Sequence, residues 1–276
     1  MNKRRIKNGK FVVSIPLYLY CIMSLVFLFY SFINPFKSSK EFFTNILGLP
    51  KEWTSNNITT VMNEAGFGKY YLNSIFVVVA ATLLILLVAS MGAYGISRYR
   101  FRGVKVLSTI FMLGMMFPAT IMVIPQFMMA KNMGLVDSLP GLVIIFVAST
   151  YSLSVFVLSG FFKTLPHEVH ESAKIDGAGE FRIFWRIMMP MAKPVMGTLA
   201  TIMAITVWND YFTSLIMIYD NDKRTLPLAL ASFQASNSAN WPMLFAAVFV
   251  CTLPIIIVYF IGSKQIVKGL TAGAVK

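Results

Sequence analysis

The sequence predicts an all-α polytopic membrane protein, with six transmembrane helices and a helical cytoplasmic loop between the fourth and fifth. Three observations carry this prediction. Apolar residues make up 57% of the 276-residue chain and charged ones 13%, too few charges to coat a water-soluble globule of this size. The apolar residues gather into six long runs, each near the ~20 residues a helix needs to cross the hydrocarbon core of a lipid bilayer. Lys and Arg crowd into alternate connections between the runs, as expected when the basic loops stay in the cytoplasm. The same composition excludes a disordered or collagen-like chain. The net charge of +13 then reports topology and not a nucleic-acid surface. Cys21 and Cys251 both lie in apolar runs, so neither a disulfide framework nor a Cys-rich metal site is expected.

In chain order, the first run, Phe11–Ile33, follows Lys3, Arg4, Arg5, Lys7 and Lys10. That basic start resembles a signal-peptide n-region, but the run is too long and no small-residue cleavage site follows, so it reads as a retained helix. Segment Asn34–Lys69 is too short for a domain and long enough for an interfacial helix. The second run, Ile75–Ile96, leads into Arg98, Arg100, Arg102 and Lys105. The third, Val106–Met129, contains Pro118 and Pro125, one heptad apart, and each removes a backbone donor that neighbouring helices or water must replace. The two prolines should bend the third run, either as a structural kink or around a pathway. Pro16 and Pro254 sit in the first and last runs. The fourth run is Leu139–Phe162, the fifth Val195–Tyr219 and the sixth Met243–Ser263. The amino terminus, Arg98–Lys105, Lys163–Lys193 and the carboxyl tail hold most of the basic residues, which places both termini in the cytoplasm.

The connection between runs four and five, within residues 164–193, is the most informative stretch. Unstructured loops of this length are uncommon in compact proteins. Leu165, Val169 and Ala173 recur at helical spacing, followed by Phe181, Phe184, Trp185 and Met188, so the loop should be two short amphipathic helices. Between them lies Asp176-Gly177-Ala178-Gly179. Gly177 suits a left-handed helix ending, and Asp176 could cap the donors that open the next helix. Helices of ~10 residues are marginal alone in water, so their apolar faces need cover from the bundle or from a partner.

Glu171-Ser172-Ala173, then Asp176-Gly177-Ala178, Phe184, Ile187, Pro190 and Pro194 together resemble the E-A-A, D-G-A, F-x-x-I-x-x-P signature of permease subunits of bacterial ABC importers. Asn73-Ser74, Trp208-Asn209 and the ending Gly269-Leu270-Thr271-Ala272-Gly273-Ala274-Val275-Lys276 are similar to the carbohydrate-uptake branch, in particular the smaller maltose-type permease. Ser172, where Ala is commonest, is a small departure. The resemblance implies a coupling helix seated in a groove of a cytoplasmic ATPase. Glu171 would pair with a basic or donor group there, and Gly177 would permit close backbone approach. Ala173 and Ala178 would keep the contact small, and Asp176, Ile187 and Pro190 would complete the motif. It further implies a second homologous permease, two ATPase subunits that use ATP and Mg, an extracellular solute-binding protein and a bacterial plasma-membrane location. It also implies alternating access driven by ATP, a two-state rigid-body switch.

The chain itself lacks G-x-x-x-x-G-K-[ST] and G-x-S-x-G, so no Walker A site or serine-nucleophile elbow is expected, nor an enzymatic role or a cofactor. His167-Glu168-Val169-His170 spaces its histidines three apart, not four, and reads as a solvated loop pair, not a metal site. Asp210 is the one acidic residue inside a run, where a charge costs at least ~2.5–3.5 kcal/mol on insertion scales. With Trp208, Asn209 and Tyr211 it could line a route for a polyhydroxylated sugar, through ring stacking and hydroxyl recognition. Equally, Asn209 and Asp210 could pair with the second permease or cap a helix break. Segment Asp220–Pro242, with Asn221, Gln234, Asn237 and Asn240 beside Phe233 and Trp241, reads as an interfacial loop or, by resemblance, as the dock for a binding protein. The tail, with Gln265 and Lys268, either reaches the ATPase or is free. Alternatives are an importer of another solute, such as an osmolyte, phosphate or an amino acid, and an ion-coupled secondary transporter. The latter would favour internal repeats of broken helices, which are not evident. An intramembrane enzyme or receptor would need a catalytic dyad or a sensory domain.

Overall fold

A computed structural model describes residues 3–63, 65–236 and 240–272, with side chains described for 14–63, 65–118, 120–236 and 240–263. Asn237 and the final Gly273–Lys276 therefore lie outside the described residues, as do the side chains of Gln265 and Lys268. The described residues are helices and connections. They are α1 (Lys3–Ile33), α2 (Ser39–Thr44), α3 (Asn56–Asn63), α4 (Phe67–Arg98), α5 (Val104–Met116), α6 (Ala119–Asn132), α7 (Leu139–Thr164), α8 (His167–Ile175), α9 (Glu180–Ile183), α10 (Met189–Trp208), α11 (Phe212–Met217), α12 (Leu226–Ser236) and α13 (Trp241–Ala272).

Five unbroken helical stretches in this set are long and apolar enough to cross a membrane: Ser14–Phe36, Phe67–Arg98, Leu139–Thr164, Glu180–Trp208 and Trp241–Ser263. The sixth crossing exists only if α5 and α6 are counted together, since they turn by 111° at a short break. The break falls at Phe117, which is extended at φ −77° and ψ 123°, because the residue before a proline is pushed out of the helical region. Pro118 thus ends α5, whereas Pro125 is carried inside α6.

Two spans differ from expectation. The second begins earlier, at Phe67, and runs to Arg98. The fifth is displaced toward the amino end: Glu180–Trp208 is continuous, and the chain breaks after Trp208 before α11 begins. The second short helix expected in the loop is therefore the beginning of the fifth span. Residues Phe184–Met188 form a π-helical turn in which the Met189 N–H bonds the Phe184 carbonyl five residues back. That wider turn takes up the register lost where Pro190 supplies no N–H, so the helix passes the proline without stopping. Segment Asp220–Pro242 is likewise not a plain loop, since it contains α12.

The chain divides into two compact units, Met1–Gly68 with Leu230–Thr252, and Lys69–Ala229 with Leu253–Lys276. In the first unit, aromatic edges tie the end of α1 to α13: Tyr30 meets Phe245 at 5.4 Å and Phe32 meets Phe249 at 5.0 Å. Lys37 is buried, and its Nζ donates to the carbonyls of Asn45 (2.8 Å) and Ile46 (3.1 Å), closing the turn after α2.

In the second unit, α4, α7 and α10 form the core. Ile85, Ala89 and Ala93 on α4 face Val155, Leu158 and Phe162 on α7, with Met188, Ala192, Val195, Leu199 and Met203 of the fifth span between them. Ala89 and Ala93, four residues apart, put small side chains on the α4 face that joins this cluster, a packing pattern common where lipid removes the hydrophobic drive. At the other end, Asn73 donates to the carbonyls of Asp222 (2.9 Å) and Arg224 (3.0 Å), and Ser74 accepts from the Leu226 N–H at 2.7 Å. Asp137 has φ +57° and accepts from the N–H groups of Tyr219 (3.0 Å) and Asp220 (2.9 Å) and from Lys223 Nζ (3.1 Å).

Candidate functional site

The α7–α10 connection is a bent pair of arms. Leu165 is extended because Pro166 follows it, which ends α7 and lets α8 start at His167. Three backbone bonds close the far end of α8: Asp176 N–H to Ser172 O, Gly177 N–H to Lys174 O and Ala178 N–H to Ala173 O, each 3.0 Å. With Gly177 at φ +77°, the last two bonds make a Schellman ending, in which one left-handed residue satisfies the terminal carbonyls. Glycine fits that position without Cβ strain. The α9 arm then starts from Gly179, which is extended and offers no side-chain cap.

Asp176 does not cap that arm. It is instead the residue that follows the last turn of α8, at its C-cap, and its side chain is exposed. Geometry is the reason: the Schellman bonds place Gly177, Ala178 and Gly179 between Asp176 and the first turn of α9. His170 departs from expectation too. It is 8% exposed and hydrogen-bonded, not solvated. His167 remains exposed.

The expected motif residues separate into two groups. Glu171, Asp176 and Gly177 are exposed on the bend, and Pro190 is exposed in the first turn of α10. Ala173 is buried, and Ala178 and Ile187 are half-buried against the same α4–α7–α10 core. Two apolar residues flank Gly177: Ile175, which sequence reasoning passed over, is 86% exposed, and Phe181, expected on a covered apolar face, is 74% exposed. A Cβ placed on Gly177 would meet no atom of this chain within 4 Å. The tip of the bend is therefore an open backbone between two bare apolar side chains.

A polar cluster beneath the tip was also not anticipated. Glu180 Oε2 accepts from Tyr94 Oη at 2.9 Å and lies 3.1 Å from His170 Nε2, while Oε1 pairs with Lys174 Nζ at 2.6 Å. Tyr94, at 6% exposure, packs on Phe184 at 5.2 Å and on Phe162 at 6.1 Å. Burial first, and then the hydrogen bond with Glu180, push the Tyr99 hydroxyl up to about 12, so it remains a neutral donor. Nη2 of Arg98 donates to the carbonyls of Phe162 (2.9 Å) and Leu165 (3.1 Å). One sequence signal was available: His170 and Lys174 lie four apart, hence on one face of α8, with a carboxylate opening the next helix.

At the other end of the fifth span, Trp208 to Tyr211 mark the break before α11. Asp210 accepts from Thr213 Oγ1 (2.9 Å), the Ser214 N–H (3.1 Å) and Ser214 Oγ (3.4 Å), which caps the first turn of α11. Asn209 Nδ2 folds back onto the Ile205 carbonyl at 2.8 Å. Trp208 is buried edge-on to Tyr71 at 5.7 Å, and Tyr211 is half-buried against Phe212 at 5.5 Å. Of the uses open to Asp210, capping a helix break is the one this geometry displays. A groove of about 430 Å³ along α4, α10 and α13 is lined by Val78, Leu83, Ala200, Ala204 and Val258, with Thr82 and Thr201 as its polar side chains. It offers a sugar no aromatic face and no carboxylate.

Residues 85–271 match the family described as binding-protein-dependent transport system inner membrane component. This chain belongs to that family. The permease is 33% identical to the diacetylchitobiose uptake system permease protein of Streptomyces coelicolor, over 93% of this chain and 86% of that protein. It is 32% identical to the arabinooligosaccharides transport system permease protein of Bacillus subtilis, over 93% of each. A solved structure of a bacterial ABC transporter involved in import of the acidic polysaccharide alginate superimposes with a TM-score of 0.84 at 25% identity, covering 96% of this permease and 98% of that chain. The protein is thus a multi-pass membrane subunit of an ABC importer, a transport component and not an enzyme.

Proposed function

We propose that this permease carries an oligosaccharide or related carbohydrate inward, paired with a second permease and driven through its α8–α9 bend by two separate ATPase subunits. An extracellular binding protein delivers the solute in this reading, both termini lie in the cytoplasm of a bacterium, and ATP and Mg are used by the partner ATPase. The carbohydrate assignment is supported by relatives whose names specify diacetylchitobiose, arabinooligosaccharides and alginate. Orientation is supported by the crowding of Lys and Arg into the two termini and the connections after α4 and α7. The absence of a sugar-like lining in the α4–α10–α13 groove fits a binding site shared with the second permease.

The observation that carries the reading is the tip of the bend. Ile175 and Phe181 stand bare on either side of an unobstructed Gly177 backbone, and bare apolar groups rimmed by polar ones mark protein contacts. Glu171 and Asp176 supply charge beside them, to meet donors on the ATPase. Ala173, Ala178 and Ile187 seat the bend on the bundle, so a push on the tip reaches the membrane helices. Cysteines placed at Ile175 and Phe181 in the assembled importer should form cross-links to the ATPase in good yield. Failure of both to reach it would remove the coupling role. For the solute, labelled oligosaccharides should be taken up saturably, and an importer that ignores them but takes an osmolyte, phosphate or an amino acid would overturn the carbohydrate assignment.

A further inference from the structure

We infer that Glu180 is a positioning residue, a clamp that makes both arms of the bend and the end of α4 move as one piece. This rests on the coupling role proposed above and adds to it the route by which force enters the bundle. Three helices converge on this single carboxylate: α4 through Tyr94 at 2.9 Å, α8 through His170 at 3.1 Å and Lys174 at 2.6 Å, and α9, which carries Glu180 itself.

The contacts differ in what they can do. The Lys174 pair is half-exposed, and such pairs contribute little to stability. Tyr94 is buried, and a buried hydroxyl deprived of its acceptor keeps its desolvation cost. The tie to α4 is therefore the strong arm of the clamp, and the ties to α8 fix the angle between the arms. Next to it, Arg98 fastens the end of α4 to the last carbonyls of α7. Without Glu180, the bend would still be seated by Ala173, Ile183 and Phe184, which resist separation. Apolar contacts have no direction, however, and permit rocking. A motor would then move the bend without turning α4 by the same amount.

The test is the number of solute molecules imported per ATP hydrolysed by the full importer in proteoliposomes. Glu180→Ala should lower that ratio about fivefold or more while ATP hydrolysis continues, a loss of the size of one well-placed hydrogen bond. Tyr94→Phe removes the hydroxyl alone and should reproduce much of the loss, while Glu180→Gln, which keeps an acceptor for Tyr94, should retain more coupling than Glu180→Ala. An unchanged ratio in both Glu180→Ala and Tyr94→Phe overturns the clamp, as does a parallel fall of uptake and hydrolysis in Tyr94→Phe, the mark of a merely structural role. Cysteines at Ile175 and Phe181 report on the underlying reading separately. If either cross-links to the ATPase while the ratio is unchanged, only the clamp fails; if neither cross-links with Glu180 and Tyr94 intact, the coupling role itself fails.

Discussion

Gly177 shows what one residue can decide. Its φ of +77° costs an ordinary L-residue roughly 1–2 kcal/mol, and a β-branched residue fits there worst. No atom of the chain lies within 4 Å of a Cβ at that position, so Gly177→Val should insert and fold in the membrane yet lose uptake, because the turn and the open docking backbone are disturbed together. Transport assays alongside membrane-fraction blots check this. Asp210 gives the opposite case. Its carboxylate caps α11, and Asn caps about as well as Asp, whereas Ala loses ~0.5–2 kcal/mol. Asp210→Asn should therefore leave uptake near the parental level, while Asp210→Ala lowers the melting temperature of the purified complex. Asp137 offers a pH readout. The Asp220 N–H, then those of Tyr219 and the Lys223 ammonium, hold its carboxyl below the usual carboxylate range. A depressed carboxyl contributes stability that is complete above the unfolded value of ~3.9 and is lost as pH falls through the folded one. Amide exchange in 218–224 should thus stay slow down to about pH 4 and accelerate below it, and Asp137→Asn should flatten that profile.

At the level of elements, legibility depended on whether a helix kept its period. Leu165, Val169 and Ala173 share one apolar spacing, and none of the three is exposed: Ala173 of α8 is buried in the core, Leu165 just before α8 packs on it, and Val169 is half-buried. The same spacing rule, applied to Phe181, Phe184, Trp185 and Met188, fails: Phe184 and Met188 are buried, Phe181 is 74% exposed, Trp185 is 38% exposed, and the fully buried Ile183 was passed over. The π-turn at Phe184–Met188 is the cause, since it shifts the register of everything before it relative to a 3.6-residue period. Ile175→Ser and Phe181→Ser change exposed side chains, which normally moves stability by less than ~0.5 kcal/mol, so the double variant should insert normally while co-purifying with much less ATPase.

For the whole molecule, five of the six expected crossings are unbroken helices and were readable from apolar length, because each run must span the same hydrocarbon thickness. Length says nothing about where a span bends, so the break at Phe117 and the early start of the fifth span at Glu180 needed the backbone. Partner-dependent surfaces were hidden for a related reason. The side chains of α1 from Leu17 to Phe29 are almost all exposed, and an apolar residue facing lipid or a second permease has the same sequence signature as one facing the core. The chain holds a bend, a clamp and a bundle, yet no nucleotide-binding loop and no sugar-like lining in its α4–α10–α13 groove. A two-state equilibrium moves only as far as the differential affinity of some ligand for the two states, and in the proposed reading that ligand is the motor acting on the bend. The purified permease alone, reconstituted with ATP and solute, should therefore import nothing above the leak of empty vesicles. Uptake should appear only when the second permease, the ATPase and the binding protein are added together, and solute accumulation by this chain alone would show that the force arises within it.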